Sequence, residues 1–252
     1  MKTIVITGAG SGIGRATAIE LSKQADIRLI LVGRTETHLE QTRTLCHQPE
    51  QHRAAPLDIC NKANWQALFD RLGIDTLYAL FANAGVGGVN TYGEADAWQE
   101  IIDINLTGTY VSIMECLPYL KNNSHPFKHV VITSSCLARF GVPDQPAYCT
   151  AKTGLLGLTK SLALKFATDH ILVNAICPGW VETEMAKETI SRLGEAQGIS
   201  YEASLEQQKS FVPLQRISSP ADIARFVTFL FSENQTSITG QGLDINNGSF
   251  MI

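Results

Sequence analysis

The chain has 252 residues, with 20 Lys plus Arg against 24 Asp plus Glu and a formal net charge of −4. That mildly acidic balance excludes the basic face on which nucleic-acid binding rests, and no apolar run approaches the roughly 18–20 residues of a membrane-spanning helix. With 44% apolar and only 17% charged residues, against about 25% charged in an ordinary domain, the chain can bury a large core and some surface between subunits. The apolar stretch after Met1 is too short for a secretory signal, so the expected location is cytoplasmic. Cys46, Cys60, Cys116, Cys136, Cys149 and Cys177 include no Cys-x-x-Cys pair, and the histidines include no helical ligand pair. Neither a disulfide framework nor a metal site is expected.

Short β-branched runs alternate with longer helical stretches along the whole chain, which predicts βαβ units and a parallel sheet. Strands are expected at Thr3–Thr7, Ile27–Val32, Thr76–Phe81, His129–Ser134 and Leu172–Ile176, with a weaker one ending at Leu57 and a last one at Gly242–Ile245. They are apolar with little alternation, as strands covered on both faces should be. Helical periodicity covers Ile13–Lys23, Thr37–Cys46, Asn64–Leu72, Trp98–Leu120, Ala147–Phe166 and Pro220–Phe231. Ser219-Pro220 is a good helix start. The expected fold is α/β: one doubly wound domain over residues 1–252, about seven parallel strands with helices on both faces. Residues 184–211 interrupt the alternation and are expected to form a small helical lid.

The loop Thr7-Gly8-Ala9-Gly10-Ser11-Gly12-Ile13-Gly14 lies between a predicted strand and a predicted helix. Glycines let backbone approach a diphosphate, and a helix N-terminus favours its charge. The G-x-G-x-x-G spacing is not met, because Ile13 and Arg15 occupy the third-glycine positions. What stands is Thr-Gly-x-x-x-Gly-x-Gly. Through this spacing the chain resembles the short-chain dehydrogenase/reductase family, and the resemblance extends over essentially its whole length. It implies a bound NAD(P) touching Gly8, Ser11, Gly12, Ile13 and Gly14.

The second strand ends Leu31-Val32-Gly33-Arg34-Thr35. A carboxylate at this strand end would select NAD through the ribose hydroxyls. Gly33 stands where NAD enzymes of the family tend to carry Asp. The Arg34 guanidinium suits a 2′-phosphate and Thr35 adds a hydroxyl, so NADP(H) is favoured over NAD(H). Asp58-Ile59 resembles the pair beside the adenine, although Asp58 also suits a cap for the helix that follows. Asn83-Ala84-Gly85 resembles the turn bordering the cofactor. Asn174-Ala175-Ile176-Cys177-Pro178-Gly179 resembles the post-strand turn, with Val181 and Thr183 holding the carboxamide.

Tyr148 and Lys152 are four apart in a helical stretch and share a face. A neighbouring ammonium favours phenolate and lowers the tyrosine pKa from about 10, which suits acid/base work on a carbonyl–alcohol pair. Alone, such a pair also describes an exposed helix face. Ser135 lies thirteen residues before Tyr148 at a strand end. The resemblance makes Ser135 the active serine and Asn105 the anchor of a proton-relay water. It implies hydride transfer with Tyr148 as proton donor, without a metal.

The substrate wall is expected from residues 137–146 and the lid, with Leu137, Arg139, Gln145 and Met185 as contacts. Glu184, Glu188, Glu195, Glu202 and Glu206 outnumber Lys187, Arg192 and Lys209 in the lid, which does not favour a strongly anionic carrier. Family members of this layout include 3-oxoacyl-thioester reductases. NAD-linked alcohol, polyol or hydroxysteroid dehydrogenation is the alternative, and a nonenzymatic dinucleotide sensor is an alternative of another class. The resemblance also implies a homo-oligomer, dimer or tetramer.

Overall fold

The computed structural model describes residues 1–93 and 96–251. Its strands are β1 (Lys2–Thr7), β2 (Ile27–Gly33), β3 (Arg53–Pro56), β4 (Ala79–Ala82), β5 (Lys128–Thr133), β6 (Ile171–Pro178) and β7 (Gly242–Ile245). They form one sheet in the order β3-β2-β1-β4-β5-β6-β7, and every pairing is parallel. The helices are α1 (Gly12–Leu21), α2 (Glu36–Leu45), α3 (Lys62–Leu72), α4 (Trp98–Ile102), α5 (Thr109–Lys121), α6 (Pro146–Phe166), α7 (Glu184–Gln197), α8 (Tyr201–Ser210) and α9 (Pro220–Leu230).

Strand residues alternate between two cores. Val5, Ile30 and Val32 face α3, α5 and α6, meeting Trp65, Ile113 and Leu155. Ile4, Ile6, Leu29 and Leu31 face α1, α2 and α9, meeting Leu21, Leu39 and Val227. Both sets are buried, so uninterrupted apolar strands are what this architecture requires. The chain winds outward from β1 to β3, then returns to place β4 beside β1. That reversal opens a crevice at the carboxyl ends of β1 and β4.

Local signals fix the helix ends. Ser219 and Asp222 form a capping box ahead of α9, and Gly73 and Gly198 end α3 and α7 with positive φ. Asn247 takes φ +55° in the turn after β7, a conformation asparagine tolerates better than most residues.

One expectation needs correction. The continuous helix over Trp98–Leu120 is broken by a π-helical turn, Asp103–Gly108, between α4 and α5. The helices expected within residues 184–211 are two, α7 and α8. Ser204 is buried between them and donates to the Ile190 carbonyl at 2.8 Å.

Candidate active site

The glycine loop joins β1 to α1. A Cβ on Gly14 would lie 2.2 Å from the Gly8 carbonyl oxygen, so only glycine lets the helix start this close to the strand. Gly12 has φ +50°. Ser11 caps α1 in extended conformation without a side-chain bond. The first helical bond runs from Arg15 N to Ser11 O at 3.0 Å, so the amides before Arg15 receive no helical acceptor. Such a cradle fits a diphosphate. The Arg15 guanidinium turns back to Gly10 O and Thr42 Oγ1.

At the end of β2, Arg34 and Thr35 are exposed, and Leu39 packs against Gly33. Ile59 is buried, while Asp58 is exposed and accepts from Cys60 N at 3.0 Å. Asp58 shapes the turn ahead of α3 but does not cap it, since the N-cap position belongs to Asn61.

Asn83-Ala84-Gly85 follows β4 and is fixed by Thr7. The Thr7 hydroxyl accepts from Asn83 N at 2.9 Å and Ala84 N at 3.0 Å, and Asn83 Nδ2 donates to Thr7 O at 3.1 Å. A Cβ on Gly85 would sit 2.7 Å from Asn105 Oδ1 and 3.5 Å from Lys152 Nζ. The bare glycine keeps open the gap between those two side chains.

Asn105 is fully buried in the π turn. Its Oδ1 accepts from Val86 N and its Nδ2 donates to Val86 O, both at 2.8 Å. The side chain thus replaces a strand partner for the loop after β4. Ser134 is turned away, donating to Lys152 O at 2.8 Å. Ser135 starts a 3-10 turn, and its hydroxyl accepts from Leu137 N at 3.1 Å.

Tyr148 and Lys152 occupy the first turns of α6. Burial pushes the Tyr148 phenol up to about 12, against the opposing pull of the neighbouring Ser135 hydroxyl. Burial draws Lys152 down to about 8. The Lys152 ammonium lies 5.4 Å over the Tyr148 ring and donates to Thr133 O at 2.8 Å. Burial is the largest influence on this phenol, and Lys152 is not among the groups that lower it, so the expected lowering of the tyrosine pKa is not seen.

Pro178 ends β6, and Gly179 lets the backbone pass 3.1 Å from Asn246 Cα, measured from where its Cβ would be. Val181 bridges to Ser218. Thr183 caps α7 by accepting from Ala186 N at 3.3 Å. Its methyl lies 3.1 Å from the Cβ position of Gly12, and Met185 Cγ lies 3.2 Å from that of Gly87. The start of α7 thus spans the crevice, touching both its walls.

Among the expected substrate contacts, Leu137 and Gln145 lie on the strand-end loops beside Ser135 and Tyr148. Arg139 is committed elsewhere. It donates to Gly242 O at 2.8 Å and pairs with Asp244 at 3.2 Å. It clamps the loop after Ser135 to β7 instead of facing a ligand. All six cysteines are free thiols. Burial pushes Cys136 up and Cys177 up to about 11, so neither is poised as a thiolate. Sequence reading missed Thr7, Thr133 and Asn90. Thr7 stands inside the quoted motif, but the partners of the other two are fixed only by the fold.

A cavity of about 500 Å³ lies at the opposite, amino-terminal edge of the sheet, lined by Lys2, Tyr78, Thr228 and Glu233 among others. It holds none of the residues above.

A glycine cradle facing a half-buried tyrosine, a buried lysine and a serine, at the switch point of a doubly wound sheet, defines a dinucleotide-dependent oxidoreductase. Comparison with known proteins agrees. A family model described as enoyl-(acyl carrier protein) reductase matches residues 8–249. The 3-oxoacyl-[acyl-carrier-protein] reductase of Rickettsia prowazekii is 32% identical over 254 residues, covering 100% of this chain and 98% of the relative. The structure of an actinorhodin polyketide ketoreductase with NADPH superposes with TM-score 0.89 at 29% identity, covering 98% of this chain and 97% of that one. L-sorbose reductase from Gluconobacter frateurii, complexed with NADPH and L-sorbose, superposes with TM-score 0.88 at 25% identity, covering 100% and 97%. The chain belongs to the short-chain dehydrogenase/reductase family and is an NAD(P)-dependent oxidoreductase of CH–OH and C=O groups.

Proposed function

We propose that the protein is an NADP-preferring reductase that converts a ketone to a secondary alcohol, with a 3-oxoacyl thioester as first candidate substrate. The observation that carries the reading is the Tyr148–Ser135 hydroxyl pair beside buried Lys152. Two hydroxyls meeting at one point suit a single substrate oxygen. The cofactor, when bound, supplies the hydride. Tyr148 gives its proton to the developing alkoxide, and Ser135 donates a hydrogen bond to the same oxygen, where charge develops. A phenol near 12 and an ammonium near 8 are both protonated at neutral pH, the states that reduction needs. Lys152 holds the ribose hydroxyls. The gap beside Gly85 admits a water between Asn105 Oδ1 and Lys152 Nζ, through which the Tyr148 proton is replaced. The cofactor lies along Gly8, Ser11, Gly12, Ile13, Gly14, Asp58, Ile59, Asn83, Ala84 and Gly85, with Val181 and Thr183 near its reactive end.

Arg34 is the group that recognises the 2′-phosphate. No carboxylate stands at Gly33 to select the free ribose. The α7–α8 segment closes over the substrate, with Met185 as the contact nearest the crevice. Exposed Tyr110 on α5 and Leu164 on α6, 46% and 83% accessible, suit burial in a homo-oligomer. The catalyst works in the cytoplasm.

The test measures oxidation of NADPH and NADH with a short 3-oxoacyl thioester, its 2-enoyl counterpart, L-sorbose and a cyclic diketone. Turnover of the 3-oxoacyl thioester with NADPH supports the reading. Turnover of the sugar alone moves the assignment to polyols, and turnover of none removes the whole panel. For the cofactor, Arg34→Ala should weaken NADPH binding by tenfold or more and leave NADH binding unchanged. Equal losses for both would overturn the role of Arg34.

A further inference from the structure

The helix that carries Tyr148 is capped from far away. α6 opens on Pro146, which has no N–H, and its N-cap residue Gln145 offers no side-chain bond. The first orphan donor is Ala147 N. It donates to Asn90 Oδ1 at 3.2 Å, across 57 residues of sequence. Asn90 lies in the loop between β4 and α4 and is only 6% exposed. Its backbone N donates to Asp144 O at 2.9 Å, so it touches the segment before Tyr148 twice.

The orientation of the Asn90 amide is fixed by chemistry. Its Nδ2 donates to Asp96 Oδ1 at 2.6 Å. The same carboxylate accepts from Tyr92 N at 2.6 Å and Trp98 N at 2.7 Å. The bond from Asn90 and these backbone donors hold the Asp96 carboxyl below its ordinary range, so it is ionised and can only accept. The amide nitrogen must face Asp96, and the oxygen must face Ala147. Tyr92 adds an outer strap, its hydroxyl donating to Pro143 O at 2.9 Å. At its other end the same loop is held by Asn105 through Val86.

We propose that Asn90 is a positioning residue for Tyr148: aimed by Asp96, its amide caps α6 and fixes where the phenol stands against Ser135. The proposal deepens the reading of Tyr148 as proton donor and rests on it. Loss of the cap frees the first turn of α6, where Tyr148 is the third residue, while Lys152 a full turn later stays seated on Thr133 O. Displacement of a reacting group by about 1 Å can cost a hundredfold in rate.

The test compares wild type, Asn90→Ala and the exchange Asn90→Asp with Asp96→Asn, which keeps an acceptor for Ala147 and a donor for the new carboxylate. Three readouts are taken: kcat and KM, hydrogen exchange along α6, and the Tyr148 phenol titration from ultraviolet difference spectra against Tyr148→Phe. For Asn90→Ala, kcat should fall about ten- to hundredfold with NADPH affinity within about twofold. Exchange should quicken in the first turn of α6 alone, and the phenol should titrate nearer 10 than 12. The double exchange should restore all three, at the cost of the Asp96 bond to Trp98 N, an exposed donor that water can serve. Should Asn90→Ala fail to fold, Asn90→Ser replaces it, its hydroxyl stopping short of Ala147. Wild-type exchange and titration in these variants overturn the proposal even when turnover falls, and so does intact turnover in a variant of an active enzyme. A wild-type protein that reduces no carbonyl defeats the functional reading instead, and exchange and titration still judge Asn90.

Discussion

At the amino-terminal edge of the sheet, Lys2 bridges Asp26 at 2.8 Å and Glu233 at 2.9 Å. Tyr78 donates to Phe231 O at 2.8 Å and meets His129 Nε2 at 3.2 Å. At the carboxyl-terminal edge, Lys152 has among the described residues only a backbone carbonyl for hydrogen-bond partner, and Tyr148 has the Ser135 hydroxyl beside it. Each edge pairs a lysine with a tyrosine, one of the two buried and the other half-buried, and burial pushes both Tyr78 and Tyr148 up to about 12. The difference lies in how the groups are engaged. Lys2 is neutralised by carboxylates, whereas no carboxylate among the described residues meets Lys152. The second kind of burial is costly and leaves groups ready for a ligand, which is why perturbed residues cluster at working sites. A shifted pKa alone does not separate the two edges; the partners do.

The largest effect should come from the working edge. Tyr148→Phe should lower turnover about a thousandfold, in keeping with loss of a positioned proton donor, while thermal unfolding stays near wild type. Steady-state rates and a melting curve check both halves. A similar loss from Tyr78→Phe would erase the contrast.

The next effect belongs to the closed edge and to pH. His129 is held down to about 4 by burial. Tyr78 gives its proton to Phe231 O, so the neutral imidazole donates from Nε2. The unfolded chain takes up a proton near 6.5 that the folded chain refuses until about 4. Stability is fully present above pH 6.5 and falls as pH drops through that window, by about 3 kcal/mol. Buried His52, whose Nδ1 accepts from Leu29 N at 3.2 Å, is pushed down as well by burial and adds in the same direction. Denaturant midpoints at pH 7 and pH 4.5 measure the loss, and a flat profile would show that the edge opens on protonation.

A smaller effect is expected for Tyr78→Phe, which strands the Phe231 carbonyl and the His129 donor. It should cost about 2 kcal/mol in denaturant unfolding and leave kcat untouched. The smallest is Lys62→Ala, which removes an ion pair to Glu115 at 3.4 Å from a side chain 78% exposed. Its unfolding free energy should stay within about 0.5 kcal/mol of wild type.

The fold was legible because buried parallel strands write themselves as uninterrupted apolar runs, and the glycine loop marks where the first one turns. Helix pitch put Tyr148 and Lys152 on one face, but only the family resemblance singled out Ser135 from Ser134 beside it. The π turn was not, since an inserted residue leaves apolar periodicity intact on both sides. Arg139 was misread because its partner, Asp244, belongs to the last strand. Asn90 left no trace because its partner is a backbone N–H. The height of the Tyr148 pKa also escaped the sequence, since spacing reports a nearby ammonium but not the desolvation that overrides it.

The π turn at Asp103–Gly108 also makes this helix a phase adapter. Its wider loop of backbone holds an extra residue, and each residue of an α-helix advances the angle by about 100°. The upstream half, Trp98–Ile102, is therefore timed differently from Thr109–Lys121. Substitutions inside the turn leave that timing intact. Removing one residue would reset it, swinging the upstream half around the axis and carrying the Asn105 amide away from Val86. For this stretch of chain, length is a stricter constraint than composition.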